Sequence, residues 1–164
     1  MGNCIIAGAR GSQGIVPSSI YSSRGSMESF TSEVGTKHAT HKQMIRYYRC
    51  IQEIEKTTTG IVNLFNDAAD TVDKTDEFKT ILQSLQTRLF DLHQNLLLLF
   101  KLSIYKIDFS VQERKDLAMK IESLVKELWT DIRETLEGNP FAFNEIETTI
   151  EKLVKKTDEL TKVI

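Results

Sequence analysis

Cysteine is scarce in this chain of 164 residues: Cys4 and Cys50 are too few for a disulfide framework, and no Asn-x-Ser/Thr acceptor occurs anywhere. Nothing therefore points to secretion, and a reducing, cytoplasmic setting is expected. Long apolar runs are missing too. Ile5-Ile6-Ala7 is far shorter than the core of a secretory signal, and the longest run, Leu96 to Phe100, cannot span a bilayer. Charge of one sign is also absent, since 21 basic against 23 acidic side chains leave −2. Proline is limited to Pro17 and Pro140, and six of the eight glycines lie in the first 35 residues. Beyond residue 37 only Gly60, Gly138 and Pro140 interrupt what can be helix.

Catalytic patterns are lacking as well. The chain has no Glu-x-x-His, the pair from which helical bundles build di-iron sites. The glycines from Gly8 to Gly14 lack the Gly-Lys-Ser/Thr that a phosphate loop requires and are read as linker. His38 and His41 stand one helical turn apart, but two ligands without a third make a poor metal site. The three histidines have no companion motif of the nucleophile-elbow kind. No catalytic residue, metal or cofactor is expected, and the chain is read as a non-enzyme.

What is present is a change of composition. Residues 1–36 mix glycine with serine and read as a flexible tail, which as a random coil would span roughly 30 to 35 Å r.m.s.. Residues 37–164 carry apolar side chains at helical spacing and are expected to form an up-and-down four-helix bundle, an all-α fold with helices at about 37–72, 75–105, 110–137 and 144–163. The first helix shows a heptad through Met44, Tyr48, Ile51, Glu55, Thr58, Val62, Phe65, Ala69 and Val72, widened by Ile54, Ile61, Leu64 and Ala68. The second buries a stripe from Phe78 to Phe100, with Asp73 or Thr75 as its cap. Ser110 and Glu113 form a capping-box pattern for the third, and Asn144 with Glu147 a similar one for the fourth. Cys50 reads as partly buried and inert, Trp129 as core. Glu122, Lys126 and Glu127, like Glu151, Lys155, Lys156 and Glu159, read as solvated charged faces.

The first four residues carry the sharpest signal. Met1-Gly2-Asn3-Cys4 resembles the start of dually acylated proteins, in which loss of the methionine exposes Gly2 for myristate and a nearby cysteine, here Cys4, takes palmitate. Ile6 stands where the common pattern has Ser or Thr. One myristoyl chain gives a partition constant of roughly 10⁴ M⁻¹, marginal for stable anchoring, which a second chain would make firm. Residues 1–50 hold six basic groups, Arg10, Arg24, Lys37, Lys42, Arg46 and Arg49, against Glu28 and Glu33, a balance of +4. Such an end suits an anionic membrane leaflet, but is too weak a field to imply nucleic-acid binding. The chain is thus expected to act at the cytoplasmic face of a membrane, the plasma membrane above all, as a tethered adaptor or regulator that binds a protein partner. The alternative is a self-assembling, matrix-like or membrane-remodelling protein that forms homo-oligomers or opens into a pore.

Overall fold

The structure, a computed structural model, describes residues 37–163. The expected tail, with Gly2, Cys4, Arg10 and Arg24, lies outside the described residues. Four helices follow a two-residue strand: β1 (Lys37–His38), α1 (His41–Asp70), α2 (Thr75–Leu102), β2 (Tyr105–Lys106), α3 (Val111–Leu136) and α4 (Pro140–Lys162). Each helix packs on the next and α4 closes back on α1, so the helices form an up-and-down ring. The linkers after α1 and α3 are too short for anything but an antiparallel turn.

The core stripe of α1 runs through Tyr47, Ile51, Ile54, Thr58, Ile61, Phe65 and Ala68. This corrects the expected register, since Tyr48, Glu55, Ala69 and Val72 are exposed. Both series step by four and three and share Ile51, Thr58 and Phe65. The observed one wins because it buries Ile54 and Ile61, whereas the other would bury the Glu55 carboxylate. Thr58 is tolerated inside because its hydroxyl donates to the Ile54 carbonyl at 2.9 Å and lies 3.3 Å from that of Thr157 on α4.

Two expected helix starts and one expected cap are also corrected. Thr40 caps α1 in a reciprocal pair with Gln43, so the helix begins at His41 and not at 37. Lys74, without a side-chain bond, occupies the cap position of α2 in place of Asp73 or Thr75; Asp76 and Glu77 in the first turn supply the negative charge its dipole favours. α4 starts at Pro140, capped by Asn139, whose side chain accepts from the Phe141 amide at 3.1 Å. Proline is well suited to that first position because its missing N–H would have no partner there. Gly138, at φ 101°, makes the left-handed turn that ends α3. Pro140 thus stops one helix by starting the next.

β1 and β2 pair in parallel, Lys37 opposite Tyr105 and His38 opposite Lys106. The pair fixes the segment before α1 beside the segment before α3. The covalent chain preceding Lys37 therefore joins the bundle at the end that holds the starts of α1 and α3 and the finishes of α2 and α4.

Candidate functional site

That end is organised around one carboxylate. Asp108 accepts from the Ser110 amide at 2.8 Å, from the Ser110 and Tyr48 hydroxyls, and from the Arg114 guanidinium at 3.0 Å. Burial would raise the Asp108 carboxyl, but the hydrogen bonds from Ser110 and Tyr48 and the charge of Arg114 outweigh it and hold the group below its ordinary value. Arg114, itself buried, also donates to the Val163 carbonyl and lies over the rings of Tyr47 and Tyr48. One network therefore ties together α1, the connection before α3, α3 and the end of α4. Ser110 does not form the expected capping box, because its hydroxyl is given to Asp108. The neighbouring Lys115 amine is fully buried with no hydrogen-bond partner, and burial lowers its pKa.

Lys37, Lys42, Arg46 and Arg49 are all exposed at this end, with the last three at i, i+4 and i+7 on one face of α1. Lys101 at the finish of α2, Lys106 on β2 and Lys162 at the finish of α4 join them; the sequence gives no sign of this, since only the topology brings the three together. Phe109 projects from the same end and is 84% exposed.

The far end is the electrical opposite. In the halves of the helices nearer β1 and β2 (37–55, 89–123 and 152–163), thirteen basic side chains stand against nine acidic, a balance of +4; in the remainder (56–88 and 124–151), six stand against twelve, a balance of −6. Asp131, raised first by burial and then by the charges of Glu134, Glu145 and Glu127, registers that crowding. The far end is held by aromatic packing instead. Phe143 stacks on Phe65 at 5.4 Å and meets Phe78 edge-on at 5.2 Å, while Phe141 stands 77% exposed beside them in sequence.

Between the ends, His93 of α2 and Glu122 of α3 are both buried and bonded, with His93 Nδ1 2.9 Å from each carboxylate oxygen. This corrects the reading of Glu122 as a solvated charge: the helix face it occupies is closed by α2. Lys156 and Glu159 do form a partly exposed ion pair, at 3.2 Å. Cys50 is buried, more fully than the partly buried position expected, with its thiol donating to the Asn95 carbonyl at 3.0 Å and pushed up to about 12 by burial. Trp129 belongs to the core. His38 is exposed on β1 and His41 opens α1, and no group of three metal-ligating side chains occurs among the described residues. Among those residues no helix is long and apolar enough to cross a membrane.

Residues 42–163 match a family model described as the EAK4 helical domain. No curated protein and no solved structure matches the chain.

Proposed function

The chain belongs to the EAK4 helical domain family, and from that premise we propose that it is a membrane-tethered adaptor or regulatory interaction protein without catalytic activity. The match spans the bundle and begins after β1, so it does not reach the N-terminal residues on which the tether is proposed. Myristate on Gly2 and palmitate on Cys4 would hold the protein at the cytoplasmic face of a membrane, the plasma membrane being the expected one. The observation that carries the reading is the end-to-end separation of charge in the bundle. The end joined to the tail is basic and suits an anionic leaflet; the acidic end, with Phe141 exposed, is turned away from it and left to a protein partner.

Intact mass after co-expression with an N-myristoyltransferase tests the tether. A myristoyl-sized gain in the wild type that vanishes in Gly2→Ala, with loss from the membrane fraction in Gly2→Ala or Cys4→Ser, is the expected result. An unmodified wild type that stays out of the membrane fraction would sink it.

The same charge separation favours a second reading, self-assembly. Opposite charges on opposite ends let copies associate head to tail, a contact that propagates instead of closing. Sedimentation at low and high salt decides it: oligomers that grow with concentration and dissolve in salt would support a matrix-like protein, and a monomer throughout would leave the adaptor.

A further inference from the structure

Phe109 is held where it is by its neighbours. On one side Asp108 is fixed by Ser110, Tyr48 and Arg114; on the other Ser110 and Val111 are buried; and Ile107 packs against the core. The backbone that carries the ring is therefore pinned on both sides, and the ring cannot turn inward without breaking the Asp108 network. A turn of this kind needs no aromatic residue in its own interest, because the side chain buries almost nothing. The exposed charges at this end of the bundle include basic side chains from five separate elements, Lys37, Lys106, Lys101, Lys162 and the Lys42-Arg46-Arg49 face of α1, and they outnumber the acidic ones, of which Glu113 and Asp116 lie closest to the ring in sequence.

We propose that Phe109 and these basic side chains form the face that docks on an anionic lipid surface, with the ring entering the boundary between headgroups and acyl chains. The inference rests on the membrane reading above and supplies its orientation. A projecting ring suits a soft partner that can close around it, and charges spread over five elements suit a two-dimensional field of headgroups better than a single bound ion. The β1–β2 pair adds an independent reason. It joins the preceding chain to the bundle four residues from Phe109 in register, since Lys37 lies opposite Tyr105, so an N-terminal anchor would keep this end nearer the surface on average than the far end.

The test uses the full chain with an N-terminal hexahistidine tag on phosphatidylcholine vesicles containing a nickel-chelating lipid, with and without phosphatidylserine. Attachment is then independent of acylation. Phe109→Trp and Phe141→Trp place matched reporters at the two ends, with Trp129 as a constant buried background. The expected result is blue-shifted emission and protection from acrylamide for the 109 reporter on phosphatidylserine vesicles, weaker without that lipid, and no change at 141. A 109 reporter that stays accessible on bound protein, or a 141 reporter that shifts as much, overturns the inference. The failure of the tether reading looks different: a chain that gains no myristoyl mass would remove natural anchoring while the tagged protein still decides which face meets lipid.

Discussion

Asp108 and Asp131 are the same residue type, each close to an end of the same bundle, and their carboxyls move in opposite directions. Asp108 has its charge met by two hydroxyls, an amide and a guanidinium, and is held below the ordinary value. Asp131, part-buried, faces Glu134, Glu145 and Glu127 and is held above it. At one end of the molecule the cluster around Asp108 serves its own cohesion. The far end coheres through Phe65, Phe78 and Phe143 and leaves its charge facing outward. The two ends differ in the sign of their net charge and, at these two carboxyls, in whether the charge is met by a partner inside the molecule.

This contrast can be broken most forcefully at Arg114. Arg114→Ala removes the partner of Asp108, the bond to the Val163 carbonyl and the cover over two tyrosine rings, and should cost about 3 kcal/mol or more in urea unfolding. Asp108→Asn should cost about 1–3 kcal/mol at neutral pH. Because the folded pKa is lowered, the stability Asp108 contributes is fully present above the ordinary carboxylate value of about 3.9 and is lost as pH falls through the folded value. The difference between wild type and Asp108→Asn should therefore shrink in acid. An unchanged gap at low pH would show that the loss is one of packing and not of charge.

Lys115 is an exception at the well-partnered end, and it sharpens the comparison. Its buried amine has no hydrogen-bond partner, so Lys115→Met should raise stability by about 1 kcal/mol, read as a shift of the urea midpoint at constant slope. The smallest effect belongs to the far end. Asp131→Asn removes one of several like charges three or four residues apart and should raise stability by about 0.2–0.5 kcal/mol at low salt. Here the folded pKa is raised, so the penalty is fully present above that raised value and is relieved as pH falls through it; the gain in Asp131→Asn should fade in acid and in high salt. A destabilised Asp131→Asn would mean that its hydrogen bond with Thr149 outweighs the repulsion.

The number of helices, their order and most of the α2 and α3 core were legible in the sequence, because apolar spacing alone specifies them. The register of α1 was legible only to someone who weighed two interleaved heptads by the polar residues each would bury, Glu55 in one and Thr58 in both. Thr40 and Gln43 carried a readable capping box that an earlier start for the helix obscured. The His93–Glu122 pair could not be read, since the two residues are 29 apart and meet only once α2 lies against α3. Nor could the basic end be assembled, because Lys101, Lys106 and Lys162 are unremarkable until topology places them beside Lys37 and Arg46. Two-residue strands leave no periodicity at all.

β1 also sets how the molecule would respond to force. A pull applied at Lys37 reaches β1 before α1, and what resists it there is a two-residue ladder with one further bond, from the Ala39 amide to the Lys106 carbonyl at 3.4 Å. Peeling that ladder frees residues 37–40 and lengthens the lead by at most about 13–14 Å before α1 carries load. The strand pair acts as a mechanical fuse: it yields first, absorbs a short extension, and leaves the bundle folded.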